Sequence, residues 1–245
     1  MKINKESNIY TIIYIVVLVE LVGSALAYTS ISLKDKQQEN MAVDKMRQIL
    51  ASIHVVPDKG AVISDFNRYI TDSYVVNNRG ERIDGDAFGI NVAAQSKLPS
   101  PSRHLPVYEA TMPDGARKYI LPVYGAGLWG PIWGYVALDA DGSTIFGAYF
   151  AHQGETPGLG AEIEKAAFSD QFDGKRLVKG GELLPVNVLK QGQQPMGGED
   201  YVDAISGGTI TSKGVASMLD NCLQGYKAFL ATLAKADTDN NDNAQ

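Results

Sequence analysis

A nearly unbroken apolar run close to the N-terminus restricts the fold of this chain more than any other feature. Residues Ile9 to Tyr28 are long enough to cross a bilayer as one helix. Lys2 and Lys5 precede the run, and cations on that side favour a cytoplasmic N-terminus. We therefore predict a single-pass membrane protein, anchored in lipid, with its soluble part outside the cytoplasm.

The same run also has features of a cleavable signal peptide. Ala25 to Ala27 resemble a signal-peptidase site. Glu20, however, weakens the apolar region that such a peptide needs, and apolar residues continue as far as Leu33. We therefore expect a retained anchor. Glu20 either lies near one interface or contacts a neighbouring membrane protein, because carboxylates within membranes usually face protein or water.

Charge and composition exclude several classes of protein. The net charge is −6 and the pI is about 5.1, so the chain lacks the basic surface that nucleic-acid binding needs. Cys222 is the only cysteine, which excludes intrachain disulfides and thiolate metal clusters. His54, His104 and His152 are far apart in sequence, and we predict no metal site.

Patterning divides the chain into four parts. We assign residues 1–36 to a cytoplasmic stub and anchor, 37–60 to a connecting helix, 61–235 to a folded domain and 236–245 to a disordered acidic tail. Gln37 to Met41 are predicted to form a polar hinge, after which apolar residues recur at helical spacing up to Ile53. Residues 64–106 are polar and weakly periodic, and they predict no definite element.

The folded domain is predicted to be α+β, with an antiparallel hairpin and packed helices. Tyr119 to Tyr124 and Ile132 to Leu138 have strand composition. Asp139 to Gly142 is a turn, and Ser143 to Ala151 returns as the partner strand.

The rest of the domain alternates helices and loops. Ala161 to Phe172 is predicted to be a helix, Leu184 to Leu189 a short strand, and Gln191 to Asp200 a loop. The last helix is predicted to be capped by Thr211 or Ser212. It carries one apolar stripe, formed by Val215, Met218, Leu219, Cys222, Leu223, Tyr226, Phe229 and Leu230.

Two loops could carry chemistry. The first, which we call the glycine turn, is Gly154 to Gly160, where alternating glycines allow close backbone approach to a ligand. Its order differs from the dinucleotide fingerprint, so it is either a ligand-binding turn or a plain connection.

The second, which we call the threonine loop, runs from Asp203 to Ser212 into the last helix. Two adjacent glycines and the hydroxyl residues at 206, 209 and 211 lie beside a helix N-terminus, a place that can hold a phosphate. Lys213 adds a cation there. The residues alone favour a phosphate site and a simple strand–loop–helix joint equally. A hydrolase that uses Ser206 or Ser212 as nucleophile is disfavoured, because the chain has no nucleophile elbow, and we assign no catalytic residue.

A resemblance decides between these interpretations. Asp203 to Thr209 resembles the flavinylation motif, in which a flavin transferase esterifies the final threonine with the phosphate of FMN taken from FAD. The resemblance implies Thr209 as acceptor, with Asp203, Ser206 and Gly207 as motif positions. Gly208 departs from the motif, which usually has alanine there. Because glycine is smaller, this departure does not block a transferase.

Three further segments are similar to the C-subunit family of sodium-pumping NADH:quinone oxidoreductases: Gly127 to Trp129, Leu138 to Gly142 and Gln153 to Gly160. The resemblance implies an electron-relay subunit, not catalytic alone, within a six-subunit membrane complex, whose domain of residues 61–235 binds FMN covalently. The alternatives are the G-subunit of an Rnf-type electron transport complex, and an anchored module that binds a flavin or anion without a covalent bond.

If the resemblance holds, contacts from the pocket must set the potential of the flavin ring. The expected pocket residues are Glu155, Thr156, Gly158, Leu159 and Gly160 of the glycine turn, with Lys213 near the phosphate. Trp129 either stacks on the ring or packs in the core under the hairpin.

Overall fold

The computed structural model describes residues 8–242, and the chain divides after Lys45 into two compact units. The first described element is one long helix, α1 (Asn8–Ala51). Among the described residues it is the one helix long and apolar enough to cross a membrane, and its apolar stretch is not buried. These properties are those of the predicted anchor. Lys2 and Lys5 lie outside the described residues.

The predicted hinge at Gln37–Met41 is wrong, since α1 continues through it without a break. Gln, Glu and Lys are good helix formers, so a polar stretch does not by itself end a helix. The helix ends at Ala51, and His54 then adopts a left-handed conformation with φ of 58°. The helix thus ends before Pro57, although a proline at this place could be taken from the sequence as its end.

A six-stranded sheet forms the centre of the domain, and its neighbouring strands are all antiparallel in the order β2-β1-β3-β4-β5-β6. The strands are β1 (Ile70–Val76), β2 (Arg82–Ile83), β3 (Leu105–Thr111), β4 (Arg117–Ala126), β5 (Pro131–Leu138) and β6 (Ile145–His152). The α+β prediction is therefore confirmed.

The predicted hairpin is β5 and β6, and its turn is held by one side chain. Asp141 accepts hydrogen bonds from the Ser143 and Thr144 N–H groups, both at 2.8 Å, and from the Thr144 hydroxyl at 2.6 Å. Burial alone would raise the pKa of the Asp141 carboxyl, but these donors lower it below its ordinary value.

The middle region, where the sequence predicted no definite element, contains strands β1 and β2, the start of β3, two helices and the 3₁₀ turn Ser100–Ser102. The helices are α2 (Val62–Tyr69) and α3 (Val92–Gln95). Strand β1 escaped prediction because its first residues, such as Thr71, Asp72 and Ser73, are polar and only its last three residues are buried.

Side chains alternate between the two faces of the sheet, and each face has its own apolar cluster. One cluster contains Ile132, Val136 and Leu138 of β5, whereas Tyr135 and Ala137 belong to the other. The second cluster is completed by Ile49, Leu50 and Ile53, from the end of α1 and the turn after it. We call this second side the anchor face.

The segment between the sheet and the last helix is more broken than predicted. Instead of one helix over Ala161–Phe172 there are two 3₁₀ turns, Gly160–Glu164 and Asp170–Phe172, around α4 (Ala166–Ser169). Lys165 is extended, with φ −85° and ψ 143°, and this interrupts the helical hydrogen bonds.

Two small strand pairs follow. The first is β7 (Val178–Lys179) with β8 (Glu182–Leu183), and the second is β9 (Asn187–Leu189) with β10 (Tyr201–Asp203), a parallel pair. The predicted strand over Leu184–Leu189 is thus limited to its last three residues. The loop predicted at Gln191–Asp200 connects β9 to β10.

The last ordered elements are α5 (Thr209–Leu223), a 3₁₀ turn (Gln224–Tyr226) and α6 (Lys227–Asp242). Every residue of the predicted apolar stripe is buried against the other face of the sheet, which we call the loop face. Cys222 lies in this stripe, its Sγ 3.4 Å from both the N and the O of Tyr124.

Both ends of this helical region differ from prediction. Helix α5 begins at Thr209 after Gly208, with no side-chain cap, so Thr211 and Ser212 lie inside its first turns. At the other end, α6 extends to Asp242 through most of the segment predicted to be disordered. The last three residues lie outside the described part of the chain.

Candidate functional site

The two loops singled out by the sequence lie against each other at the N-terminus of α5. A Cβ placed on Gly207 would be 2.6 Å from Leu159 Cδ2, and one on Gly208 would be 3.3 Å from the Gly160 amide nitrogen. Gly207 has φ of 75°, a conformation that only glycine adopts freely. The conformation of Gly207 therefore suits glycine, and both glycines allow the threonine loop to pack closely on the glycine turn.

A buried carboxylate joins these loops to a third. Glu155 is 4% exposed. One of its oxygens accepts from the Thr211 hydroxyl at 2.5 Å, and the other accepts from the Trp129 N–H at 2.8 Å. We call this set of contacts the Glu155 bridge. The backbone N–H of Glu155 in turn donates to His152 Nδ1 at 3.1 Å, which fixes the start of the glycine turn.

The two threonines of α5 have opposite surroundings. Thr209, the first residue of the helix, is exposed. Thr211 is 1% exposed, and its hydroxyl is bound to Glu155. Ser212 is also buried, and its Oγ accepts from the Ile205 N–H at 3.0 Å. Of these three hydroxyls at the start of α5, only that of Thr209 is accessible to a reagent.

A cleft of about 850 Å³ opens beside Thr209. Such a volume lies within the range of small-molecule sites, about 300–1,000 Å³. One wall is the threonine loop and α5, and the other is β9 with the loop that follows it. The lining residues used below are Ser206, Gly207, Thr209, Lys213, Lys190 and Gln193.

The electrostatics of this cleft favour an anion. The first turn of α5 has free N–H groups and the positive end of the helix dipole. Lys213 on α5 and Lys190 after β9 are both exposed and both line the cleft. A phosphate at Thr209 would thus lie at backbone N–H groups with Lys213 on the same helix, which is a usual setting for a bound phosphate.

The predicted site residues are divided between two places. Ser206, Gly207, Thr209 and Lys213 line the cleft, as expected for an acceptor loop. Asp203 is exposed just before them, and its N–H donates to Gln171 Oε1 at 2.8 Å. The glycine turn and Trp129 are not among the residues that line the cleft: they hold the threonine loop from the other side.

Within the glycine turn, the side chains have different roles. The carboxylate of Glu155 points inward, while Thr156, Gly158 and Leu159 are exposed. The Thr156 carbonyl accepts from the N–H groups of Leu159 and Ala161, at 3.1 and 3.2 Å, and Gly158 has φ of 75°. The sequence left open a ligand-binding turn or a plain connection. The structure shows the contacts of this turn with the threonine loop, and its contact with a ligand stays a prediction.

Trp129 does not pack in the core, which was the alternative from sequence. It is 69% exposed, and its neighbour Leu128 is 48% exposed. Leu159 and Ile210, on the two loops, are exposed as well. A tryptophan at this level of exposure is available to a ring or to another protein.

Sequence reasoning missed two groups of residues. Lys190 and Gln193 line the cleft although the sequence showed only a Gly/Gln loop there. Thr211, expected as a helix cap, is instead the partner of Glu155. The pairing of Glu155 with Thr211 could not be predicted from the sequence, since 56 residues separate them and only the fold brings them together.

Elsewhere, one group of side chains has the composition of a cation site. The ligand atoms of His54, Asp170 and Asp173 lie within 4.8 Å of one another. His54 Nε2, however, is 3.0 Å from the Phe146 carbonyl and 3.2 Å from Asp173 Oδ2, so hydrogen bonds within the domain already account for it. We assign no metal there.

Comparison with known proteins agrees with this geometry. A family model described as an FMN-binding domain matches residues 127–224, which include both loops, Trp129 and all of α5. The C subunit of the Na(+)-translocating NADH-quinone reductase of Vibrio anguillarum is 34% identical over 247 residues, 93% of this chain and 96% of the relative.

Solved structures show the same relationship. The C subunit of the Na(+)-translocating NADH-quinone reductase from Parabacteroides distasonis is 48% identical, with a TM-score of 0.76 over 81% of this chain and 96% of that one. The NqrC structure from Shewanella oneidensis is 25% identical, with a TM-score of 0.65 over 79% and 98%. The chain therefore belongs to the C-subunit family of the Na(+)-translocating NADH-quinone reductases, and its candidate site lies within the FMN-binding domain of that family.

Proposed function

We propose that this protein is the membrane-anchored electron-relay subunit of a Na⁺-translocating NADH:quinone oxidoreductase, with FMN bound to Thr209 through a phosphoester. The observation that carries the proposal is the contrast between the two threonines. Thr209 is exposed at the mouth of a cleft, whereas Thr211 is buried and its hydroxyl is bound. The geometry thus favours the same threonine that the flavinylation motif designates.

Attachment to Thr209 is a phosphoryl transfer from FAD. The Thr209 oxygen forms a bond to the phosphorus on the flavin side of the pyrophosphate, the P–O bond to the adenylate breaks, and AMP leaves. The hydroxyl proton is lost to a base of the flavin transferase. No oxidant is needed, and the flavin ring is unchanged.

The residues around Thr209 fit this cofactor. The phosphate would lie at the N-terminus of α5, near Lys213, where the helix dipole stabilises negative charge. The volume of the cleft suits a ring held beside its own phosphate. Lys190, on the opposite wall, would stabilise negative charge that accumulates on the ring during reduction.

The chemistry that FMN supplies is electron transfer, and the protein supplies position and electrostatics. The threonine loop and α5 hold the phosphate end, and Gly207 and Gly208 keep the loop close to the glycine turn. A covalent bond also prevents loss of the cofactor in a compartment where FMN could not readily be replaced. We place the domain in the periplasm because Lys2 and Lys5 precede the anchor.

We further propose that the partners are the other subunits of a six-subunit complex, together with membrane lipid and, during maturation, the transferase. Electron flow from NADH to a quinone through this complex would drive Na⁺ outward. The exposed Trp129, Leu128, Leu159 and Ile210 lie on the two loops and beside them, where an electron partner could approach.

Fluorescence on a denaturing gel tests the attachment. Wild-type protein made together with its transferase should fluoresce under ultraviolet light, and Thr209→Ala should be dark. Thr211→Val removes the other hydroxyl at constant shape and should still reach full labelling, with the flavin on the peptide that contains Thr209. A dark Thr211→Val together with a fluorescent Thr209→Ala would contradict the assignment. Flavin that leaves the wild-type chain on denaturation would instead support a non-covalent module.

Topology is tested separately. Protease added to intact spheroplasts should digest the domain, and N-terminal sequencing should find the anchor retained. Protection of the domain would overturn the periplasmic placement, and a mature chain beginning at Tyr28 would show cleavage after Ala27.

A further inference from the structure

Glu155 is a buried ionisable residue, and the electron relay itself does not use it. Burial of a carboxylate is costly unless its oxygens are hydrogen-bonded, and here each oxygen receives one donor, the Thr211 hydroxyl or the Trp129 N–H. The sequence suggested that Glu155 faces the flavin. Both of its oxygens are instead turned into the protein, which calls for a different role.

The surroundings of the bridge allow its carboxylate little freedom. A Cβ on Gly127 would collide with one carboxylate oxygen, and a Cβ on Gly160 would collide with the other and with the Thr211 hydroxyl. The negative charge also lies at the first turn of α5, where the helix dipole stabilises it. Three separate segments of chain are therefore fixed to one side chain.

We propose that Glu155 is a positioning residue that presents Thr209 to the flavin transferase, a role that rests on the proposed attachment of FMN to Thr209. The bridge holds Thr211 inward, and Thr211 is two residues from Thr209 within the same first turn. Fixing one side chain of this turn fixes the rotation of the turn, and so directs the exposed Thr209 hydroxyl to the cleft. The bridge also occupies the Thr211 hydroxyl, so this hydroxyl does not compete with that of Thr209 as the flavin acceptor.

Position matters because the acceptor oxygen must meet the phosphorus in line with the departing AMP. A misplacement of about 1 Å can lower the rate of such a step by about 100-fold. Glu155, Thr211 and Trp129 are not among the residues that line the cleft, so removing the bridge leaves the cleft lining in place. Loss of the bridge should therefore lower the kcat of transfer and leave the KM for the acceptor protein nearly unchanged.

The test uses full-length protein made without its transferase, then incubated with purified transferase and FAD. The initial rate is followed by AMP release. Glu155→Ala and Thr211→Val should each lower kcat by about tenfold or more, with KM within about twofold of wild type. Because both remove the same contact, the double variant should be no slower than the slower single variant.

Glu155→Gln serves as the conservative variant. Its amide oxygen can accept from the Trp129 N–H, and its NH₂ can donate to the Thr211 hydroxyl, so transfer should recover to within about threefold of wild type. Rescue by a neutral side chain of the same shape separates positioning from a general loss of stability.

Two glycines of the same turn give a matched pair. Gly160→Ala places a methyl group against both Glu155 and Thr211, and should slow transfer. Gly154→Ala has no heavy atom within 4 Å of the new Cβ and replaces a glycine without a positive φ, so transfer should stay near wild type. Peptide mass mapping should find the flavin on Thr209 in every labelled variant.

Failure of this inference is distinguishable from failure of the proposed function. If wild-type protein accepts no flavin, the attachment itself is wrong. If wild type is labelled and Glu155→Ala, folded by near-ultraviolet circular dichroism, is labelled at the wild-type rate, Glu155 has no positioning role. Additive losses in the double variant would also overturn the inference. If Glu155→Ala does not fold, the rate of Thr211→Val decides in the same way.

Discussion

The two faces of the central sheet are covered in different ways. On the loop face, α5 and the elements after it provide the largest part of the cover, and the same helix begins at Thr209. On the anchor face, Ile49, Leu50 and Ile53 from the end of α1 and its turn complete a smaller cluster. One covering element thus carries the candidate site, and the other continues the membrane anchor.

This difference separates stability from flavin transfer, because only the loop face carries the candidate site. Substitutions on the loop face should affect both stability and flavin transfer, because α5 serves both. Substitutions on the anchor face should affect stability alone. The end of α1, from Met46 on, belongs to the core of the domain, so the compact unit begins within this helix and not at its end.

Truncation should give the largest effect. A chain beginning at Met46 keeps Ile49, Leu50 and Ile53, all 0% exposed, and should unfold cooperatively. A chain beginning at Val55 loses all three. Loss of each buried side chain costs about 2–5 kcal/mol, against a total stability of about 5–15 kcal/mol for a domain. The shorter chain should lack a cooperative transition in urea, and a folded product would show that the anchor face needs no cover.

A matched pair of leucines should sharpen the comparison. Leu50 and Leu219 are both 0% exposed, one on each face. Leu50→Ala and Leu219→Ala should each lower the free energy of unfolding by about 2–5 kcal/mol. Only Leu219→Ala should also slow flavin transfer at a temperature where both variants are folded. Equal rates in the two would mean that the first turn of α5 is held independently of its buried stripe.

A smaller effect should follow loss of one hydrogen bond on the anchor side. Trp133 Nε1 donates to Gln48 Oε1 at 3.0 Å, which connects β5 to the end of α1. Trp133→Phe should lower stability by about 1 kcal/mol by urea titration, since a typical hydrogen bond contributes about that much. The rate of flavin transfer should not change, and a slower rate would show coupling between the faces.

The last prediction concerns the dependence of stability on pH. The pKa of Asp141 is lower in the folded protein than its ordinary value, so its contribution to stability is present above that value and is lost as pH falls through the folded pKa. The free energy of unfolding of wild type should exceed that of Asp141→Asn by about 1 kcal/mol at pH 5–7. The gap should close below about pH 4, and a gap constant down to pH 3 would contradict the assigned ionisation.

The fold could be predicted where the sequence pattern is local. The hairpin of β5 and β6 and the buried stripe of α5 follow from alternation and from helical spacing, and both are confirmed. Strand β1 could not be predicted, since its residues 71–73 are polar and it pairs with β3 about 35 residues away. The break between the 3₁₀ turn Gly160–Glu164 and α4 depends on one extended residue, Lys165, which no periodicity marks.

The candidate site shows the same limit. The motif identifies Thr209 from neighbouring residues, and the structure leaves that residue exposed at the cleft. The inward direction of Glu155, the exposure of Trp129 and the place of Lys190 depend on contacts across the fold, which a single sequence does not contain. A local motif can therefore name a candidate acceptor, which stays a prediction, whereas roles that depend on distant neighbours need the fold.

The lone thiol of the chain offers a natural reporter of motion in α5. Burial raises the pKa of Cys222, and its Sγ is fixed beside the Tyr124 backbone. A thiol reagent can therefore label the folded chain only when α5 lifts from β4. The labelling rate then measures the opening equilibrium of the helix that carries Thr209, in the manner of amide exchange. A bound flavin that stabilises the closed helix should slow this labelling, and no cysteine has to be introduced to observe it.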